Sequence, residues 1–203
     1  MSNKGFTKKQ KIYFLFKRLF DIFTSFLAIV VLTPFLFIIG ILVVCTSKGP
    51  VFFCQKRIGR DKKVFRILKF RTMKIDAPEI PPSNMTKEQQ RAMSTNFGVF
   101  LRKTSIDELP QIFNIFVGQM SVIGPRPAAA INEDDIIIER DKYFPNPTSL
   151  RPGLSGYAQT NGRHHEVKQK AELDAYYAKN LSFCLDIKVF FLTIRKLFLF
   201  EGS

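Results

Sequence analysis

The chain has 203 residues, a length that suits one ordinary domain together with a membrane element. Its 31 lysines and arginines outnumber its 17 aspartates and glutamates, and the formal charge of +14 favours partners such as nucleotides, nucleic acid or anionic lipid headgroups. The three cysteines lack a CxxC spacing, which argues against a disulfide framework and a zinc site and indicates a reducing, cytosolic environment.

An apolar segment, LFDIFTSFLAIVVLTPFLFIIGILVVC, occupies residues 19–45. As one helix it would extend about 40 Å, more than the ~30 Å hydrocarbon core of a bilayer. Pro34 predicts a kink, and the neighbouring Thr33 hydroxyl can satisfy a freed carbonyl. Basic residues flank the segment on both sides, which favours a cytoplasmic location for both ends. A spanning helix and a bent, re-entrant helix both remain open.

The rest of the chain predicts short strands followed by helices. The segment GPVFFCQKRIGRDKKVFRILKFRTM predicts a β-hairpin with strands at 51–55 and 64–73. Residues 76–94 are Pro-rich and then weakly helical, which predicts a surface excursion. Helices are expected at 97–103, 108–117 and 132–143, with loops GQMSVIGPRP and LRPGLSGYAQTNGR. Residues 166–200 are helical by pattern, and their apolar last part suits either the membrane interface or the core.

Two adjacent carboxylates, Asp107 and Glu108, lie in RKTSIDELPQIFN. Ser105 and Glu108 have the spacing of a capping box, so one interpretation is that the acids only stabilise a helix start. The other interpretation is catalytic, because Pro110 must lie in the first helical turn, which sets Asp107 beside free backbone donors and predicts an ionised carboxylate. Such an aspartate can attack phosphorus, and a neighbouring glutamate can hold Mg²⁺.

Three arginines stand near glycine, proline or the acidic pair: Arg102, Arg126 in GPRP and Arg151 in RPG. Arginine binds phosphate through two parallel hydrogen bonds, so three converging arginines would form a diphosphate clamp. The alternative is three unrelated surface charges. His164 and His165 are interpreted as loop residues, because adjacent side chains rarely point at one metal ion.

Several common binding motifs are absent from the sequence. Neither a P-loop sequence nor a G-x-G-x-x-G fingerprint occurs. The basic run at 56–63 has no recognition-helix, RNP or zinc-finger pattern beside it. We therefore expect no nucleic acid partner.

Six segments in order resemble the bacterial sugar transferases, small monotopic polyprenol-phosphate phosphoglycosyl transferases: FFCQKRIG, KFRTM, SIDELPQIFNIF, MSVIGPRP, RPGLSGYAQTNGR and DAYYAKNLSFCLDIK. The resemblance covers roughly residues 17–196. It implies an α+β fold in which residues 1–48 hold a basic N-terminus and a re-entrant, broken membrane helix. Residues 49–203 would form a mainly helical, cytosolic catalytic domain with a short β-hairpin and interfacial amphipathic helices.

This resemblance implies an enzyme that moves a phosphosugar from a UDP-sugar to undecaprenyl phosphate, releases UMP and starts glycoconjugate assembly. It would lie on the phospholipid bilayer of the bacterial inner membrane, with the catalytic domain and both helix ends on the cytoplasmic face. Asp107 would be the nucleophile and Glu108 the ligand of a Mg²⁺ cofactor. The residues expected at phosphates are Arg102, Arg126 and Arg151, and those expected at the helix break are Thr33 and Pro34.

The sequence departs from the family pattern at Gln119, where an acidic residue is common, and at Ser155, where threonine is common. His164 and His165 stand in a region where the family usually has an asparagine and a downstream tryptophan. The sugar, the glycan pathway and the oligomeric state therefore stay open. Two rival hypotheses are a non-catalytic basic membrane adaptor, with the acidic pair as a helix cap, and an aspartyl-phosphate hydrolase of lipid or nucleotide phosphates.

Overall fold

The computed structural model describes residues 5–75, 77, 86–130, 134–161 and 166–198, and it confirms a mixed helix and sheet fold. The regular elements are α1 Lys8–Thr46, β1 Phe52–Ile58, β2 Val64–Phe70, α2 Lys87–Met93, α3 Asn96–Lys103, α4 Gln111–Phe116, β3 Ser121–Ile123, β4 Ala128–Ala129, α5 Asp134–Asp141, β5 Gly153–Ser155, α6 Tyr157–Thr160, α7 Val167–Lys179 and α8 Phe183–Phe198. Short 3₁₀ turns lie at Arg60–Lys62, Ile106–Glu108 and Pro147–Ser149. The histidine pair and most of the first part of the predicted excursion lie outside the described residues.

Helix α1 begins at a capping box. Thr7 accepts a hydrogen bond from the backbone N–H of Gln10 at 3.2 Å, and the Gln10 side chain accepts one from the Thr7 N–H at 2.9 Å. Within the described part of the chain, α1 is the one helix long and apolar enough to cross a membrane, by length and composition alone. Its 39 residues correspond to about 58 Å of helix.

The predicted helix break falls inside α1, which runs as one helix through Pro34. The Thr33 hydroxyl donates to the carbonyl of Ile29 at 2.6 Å. This carbonyl lies one residue before that of Val30, which Pro34 leaves without its usual donor. The hydroxyl therefore satisfies a different carbonyl from the one expected, and re-entrance stays a prediction.

The N-terminal half of α1 is fixed to the rest of the chain by polar contacts. Arg18 donates to the carbonyl of Ile115 at 2.7 Å and to that of Phe116 at 2.8 Å. The carboxylate of Asp21, which is 1% exposed, accepts from the N–H of Val122 at 3.0 Å. These contacts satisfy carbonyls at the end of α4 and one backbone donor of β3.

The C-terminal half of α1 is fixed by apolar packing. Leu36, Ile39 and Val43 are buried in one cluster with residues of β2, α3 and α4, namely Phe70, Leu101 and Ile112. Burying such side chains removes apolar surface from water and stabilises the contact by roughly 1.5–3 kcal/mol each. Both halves of α1 therefore contact the same body of the protein.

The predicted hairpin is confirmed, with different ends. β1 and β2 pair antiparallel from Phe52↔Phe70 to Ile58↔Val64, and β4 pairs with β1 on its other side. β1 extends past the predicted residue 55 because pairing persists up to the turn at Arg60–Lys62. β2 ends at Phe70 and forms an edge of the three-stranded sheet.

Two predicted loops contain strands. β3 lies in GQMSVIGPRP and β5 in LRPGLSGYAQTNGR, and they pair in parallel through Ser121↔Gly153 and Ile123↔Ser155. The loop predictions were wrong here because three-residue strands are too short to show an alternating pattern. Their pairing depends on a contact between distant parts of the chain.

The terminal helical region consists of α7 and α8. Val189 of α8 is fully buried in a cluster with Leu150 and Tyr177, whereas Phe183 and Phe191 are 56% and 63% exposed. The sequence left two alternatives for this region, packing against the core and lying in the membrane interface, and α8 has a face that suits each. One face of α8 packs against the core, and the other presents apolar side chains outward.

Asn114 of α4 holds the free edge of β2. Its side-chain oxygen accepts from the N–H of Leu68 at 2.9 Å, and its amide donates to the carbonyl of Arg66 at 2.8 Å. The side chain therefore pairs with β2 as a neighbouring strand would. This contact fixes the distance between β2 and the segment before α4.

We expect Asn114→Ala to lower the free energy of unfolding by about 2–4 kcal/mol, because it leaves a backbone donor and a backbone acceptor of β2 unpaired. Asn180→Ala is the matched control, since the side chain of this exposed asparagine, directly after α7, donates to the Tyr176 carbonyl four residues back at 2.9 Å. Its expected cost is about 0.5 kcal/mol. Urea unfolding of the solubilised protein, followed by circular dichroism, measures both; equal losses would contradict this role for Asn114.

Candidate active site

The acidic pair lies in the 3₁₀ turn Ile106–Glu108, between α3 and α4. Ser105, which precedes this turn, adopts a left-handed conformation at φ 57° and makes no side-chain cap hydrogen bond. The side chain of Glu108 instead contacts Lys69. The capping-box interpretation was therefore wrong, because the left-handed residue turns the Ser105 side chain away from the orphan donors.

Asp107 is a buried carboxylate, with 8% of its surface exposed. Burial and the neighbouring Glu108 raise the pKa of Asp107 from 3.8 to about 6, although Lys69 and Arg102 act in the opposite direction. The expectation of a readily ionised carboxylate needs correction on this point. Asp107 ionises around pH 6 rather than near pH 4, so it is mostly an anion at neutral pH.

Glu108 has the opposite balance. Burial acts to raise its pKa, but the cations Lys69, Arg126 and Arg57 outweigh burial and hold the pKa of Glu108 below its ordinary value. The Lys69 ammonium lies 2.6 Å from its carboxylate. The pKa of Asp107 is thus raised and that of Glu108 lowered, an arrangement typical of catalytic carboxylate pairs.

Arg102 of α3 lies beside Asp107. Its Nε donates to the Thr72 hydroxyl at 2.8 Å, and its Nη1 donates to the Ser94 hydroxyl at 3.4 Å. Its charge lowers the pKa of Asp107, so the two groups interact electrostatically. The position predicted for a phosphate contact is therefore next to the acidic pair.

Arg126 interacts electrostatically with the other acid of the pair, Glu108. The residue is exposed, and its charge lowers the pKa of Glu108. β4 follows directly and pairs with β1, which fixes this part of the chain against the hairpin. An exposed guanidinium on a fixed backbone is available to an anionic ligand.

Arg151 occupies a different neighbourhood. Its Nε donates to the carbonyl of Gly118 at 2.9 Å, and it interacts electrostatically with Arg60, Arg18 and Asp21. The structure thus brings Arg102 and Arg126 to the acidic pair, whereas the described contacts of Arg151 are with other groups. Its role at a phosphate stays a prediction.

Lys69 and Arg57 were missed as site residues by sequence reasoning, which counted them among the basic residues that flank the apolar segment. Arg57 of β1 donates to the Pro127 carbonyl at 3.2 Å and to the Gln55 side chain at 2.7 Å, and its charge also reaches Glu108. The available signal was the position of Arg57 in FFCQKRIG and of Lys69 in KFRTM, two of the segments that carry the family resemblance. Their contact with the acidic pair depends on tertiary packing.

Together these side chains form a basic site around two acids. Four cations, Lys69, Arg102, Arg126 and Arg57, act on Asp107 and Glu108. The site therefore has a formal charge of +2 when both acids are ionised, which favours an anionic ligand such as a diphosphate.

The described residues provide few ligands for a metal ion. They contain no group of three or more His, Cys, Asp and Glu side chains that could hold one. Mg²⁺ often binds through one or two carboxylates together with substrate phosphates. Glu108 fits such a site only if a bound substrate supplies further oxygen ligands.

Comparisons with known proteins identify the family of this chain. A profile of the bacterial sugar transferase family matches residues 12–200. A UDP-glucose:undecaprenyl-phosphate glucose-1-phosphate transferase of Klebsiella pneumoniae is 40% identical over 95% of this chain and 42% of its own length. A UDP-N-acetylgalactosamine-undecaprenyl-phosphate N-acetylgalactosaminephosphotransferase of Aeromonas hydrophila is 37% identical over 91% of this chain and 44% of its own.

A shorter relative matches over almost its whole length. The exopolysaccharide production protein PSS of Rhizobium leguminosarum bv. phaseoli is 34% identical over 88% of this chain and 92% of its own length. The chain spans about two fifths of the Klebsiella and Aeromonas proteins, so it corresponds to one part of each. The profile match over most of its length, with these three relatives, shows that the chain belongs to the bacterial sugar transferase family.

Proposed function

We propose that the protein transfers a sugar phosphate from a UDP-sugar to undecaprenyl phosphate and releases UMP, as the first membrane step of polysaccharide or glycoprotein assembly. The observation that carries the proposal is the pair of Asp107 and Glu108, whose acidities are shifted in opposite directions beside four cations. The names of the Klebsiella and Aeromonas relatives, which specify undecaprenyl-phosphate sugar transfer, support this reaction class.

The reaction has two displacements at phosphorus. In the first, a carboxylate oxygen of Asp107 bonds to the sugar-bearing phosphorus, and the bond between this phosphorus and the bridging oxygen of the diphosphate breaks. UMP leaves with the electron pair of that bond. In the second, an oxygen of the lipid phosphate bonds to the same phosphorus, and the Asp107 carboxylate leaves. The product is undecaprenyl diphosphate sugar.

The cations around the acids have separate tasks in this scheme. Arg102, which acts on Asp107, and Arg126, which acts on Glu108, bind the diphosphate, and Arg151 is assigned to a phosphate further from the acidic pair. Lys69 holds Glu108 ionised and in position. Glu108 is the proposed Mg²⁺ ligand, and the ion supplies neutralisation of phosphate charge when bound.

The apolar surface supports attachment to a bilayer. Along α1, Phe16, Phe23 and Phe37 are 62%, 66% and 69% exposed, and Phe191 of α8 is exposed as well. Both halves of α1 contact the same protein body, which carries the charged site. A helix spanning a ~30 Å hydrocarbon core would place part of this body in lipid. We therefore propose that α1 enters and returns, with both ends and the catalytic part on the cytoplasmic face.

The experiment that tests the proposed function is UMP release from a panel of UDP-sugars with Mg²⁺, with and without undecaprenyl phosphate. We expect turnover that requires the lipid for one donor class, and loss of turnover in Asp107→Asn. Turnover that continues without the lipid would support the hydrolase hypothesis. Absence of release for every sugar, with intact membrane binding, would support the adaptor hypothesis.

Asp107→Asn should raise the stability of the protein while it abolishes transfer. The pKa of Asp107 is higher in the folded protein than in the unfolded chain, so wild-type stability falls as the pH rises through the window from about 4 to about 6. Above this window the buried anion costs on the order of 3 kcal/mol, which an uncharged asparagine avoids.

Unfolding of the two proteins at pH 8 and at pH 4 measures this effect. We expect Asp107→Asn to be the more stable protein at pH 8, and the difference to shrink towards zero at pH 4. A variant that is less stable than the wild type at pH 8 would mean that Asp107 has a structural, cap-like role.

The pH dependence of the first displacement should follow the ionisation of Asp107. We expect the rate of UMP release to rise with pH through about 6 and then level off, because the carboxylate is the nucleophile. Lys69 lowers the pKa of Asp107, so Lys69→Met should move this acidic limb to higher pH.

Lys168→Met, which removes an exposed charge on α7, is the control and should leave the acidic limb unchanged. Single-turnover rates measured between pH 5 and pH 8 give the three profiles. An acidic limb that stays in place in Lys69→Met would contradict the electrostatic coupling between Lys69 and Asp107.

A further inference from the structure

The backbone that carries Arg126 is held at three successive carbonyls. The N–H of Gly153 donates to the carbonyl of Pro125 at 2.9 Å, and a guanidinium N–H of Arg140 donates to the carbonyl of Arg126 at 3.0 Å. Arg57 donates to the carbonyl of the next residue, Pro127, at 3.2 Å. With a proline on each side as well, the backbone at Arg126 has little freedom.

One of these three contacts comes from a buried ion pair outside the site. Nε and Nη2 of Arg140, on α5, donate to one carboxylate oxygen of Asp174, on α7, at 2.9 and 2.6 Å. The side chains of Arg140 and Asp174 are 7% and 2% exposed. A buried ion pair is a weak source of stability, because the desolvation of both charges offsets their attraction. Its presence therefore calls for a role other than joining two helices.

We propose that Arg140, held by Asp174, is a positioning residue that aims Arg126 at the diphosphate of the donor. Nη2 of Arg140 bonds Asp174 and the Arg126 carbonyl at once, so the orientation fixed by the carboxylate is passed to the backbone of Arg126. The exposed side chain of Arg126 then projects from a fixed backbone position, and its charge acts on Glu108. The inference rests on the proposed function, since it takes the ligand to be a nucleoside diphosphate.

A positioning role and a merely structural role predict different couplings. If Arg140 acts through Arg126, its removal has an effect only while Arg126 is present, because residues that act as a unit are not additive. If Arg140 only joins α5 to α7, its removal weakens ligand binding to the same degree with or without Arg126. A double-mutant cycle of the two arginines separates these cases.

The cycle uses Arg126→Ala, Arg140→Met and the double variant in the full chain, with binding of UDP and of UMP as readouts. We expect each single variant to weaken UDP binding by about tenfold and to change UMP binding by less than about threefold, because Arg126 is aimed at the second phosphate. In the Arg126→Ala background, Arg140→Met should change UDP binding by less than about twofold.

Lys142→Met, one residue after the end of α5, is the matched control. Lys142 forms an exposed ion pair with Glu139 of α5, so its loss should leave UDP binding unchanged. Arg140→Lys and Asp174→Asn serve if Arg140→Met does not fold. Arg140→Lys keeps the charge but not the fork that joins two acceptors, so we expect it to weaken UDP binding only while Arg126 is present. Asp174→Asn should behave in the same way.

Equal weakening in both backgrounds, or equal weakening of UDP and UMP binding, would overturn the positioning role. Failure of the proposed function has a different signature. In that case the wild type releases no UMP from any UDP-sugar, or releases it without needing undecaprenyl phosphate. A wild type with lipid-dependent turnover and an additive cycle rejects the role of Arg140 alone.

Discussion

The burial of the Asp107 carboxylate beside Glu108 is the constraint on which the rest of the site depends. Burial disfavours the ionised form of Asp107, and the neighbouring Glu108 carboxylate adds to the cost. The fold answers with cations from separate elements: Lys69 from β2, Arg102 from α3, and two more from β1 and from the segment before β4. Asn114 fixes β2 to α4, which keeps Lys69 opposite Glu108. The hairpin therefore places two of the four cations, Arg57 and Lys69, where they act on the acidic pair.

The part of the protein that carries this site also exposes many large apolar side chains. Exposed phenylalanines on α1, α3, α4 and α8 include Phe16, Phe100, Phe116 and Phe190. Exposed apolar surface on this scale indicates contact with a partner or a membrane. The two substrates of the proposed reaction, a water-soluble nucleotide sugar and a lipid phosphate, can meet at such a boundary. The contacts of Arg18 and Asp21 fix the N-terminal half of α1 to the part of the protein that carries the charged site, which accounts for these polar groups on an otherwise apolar helix.

Local patterns in the sequence predicted the hairpin, the long apolar helix and the acidic pair, because each depends on neighbouring residues. Predictions from local patterns failed where contacts between distant parts of the chain determine the structure. The spacing of Ser105 and Glu108 predicted a cap, but the left-handed backbone at Ser105 and the cation of Lys69 lead to another arrangement. The parallel pair of β3 and β5 joins segments that look like loops. Arg140 and Asp174 lie 34 residues apart and show no spacing pattern, so their pairing is visible only in the fold. The re-entrant path of α1 and the task of Arg151 remain predictions, since the contacts within the protein do not decide them.

The central claim is that Asp107 becomes covalently attached to the sugar phosphate. Incubation of the protein with its UDP-sugar and Mg²⁺, in the absence of undecaprenyl phosphate, followed by intact and peptide mass spectrometry, tests it most directly. We predict one sugar phosphate per chain, located on the peptide that contains Asp107, released by hydroxylamine and lost when the lipid phosphate is added. A full burst of UMP with no adduct at Asp107, or an unchanged adduct in Asp107→Asn, would contradict the account.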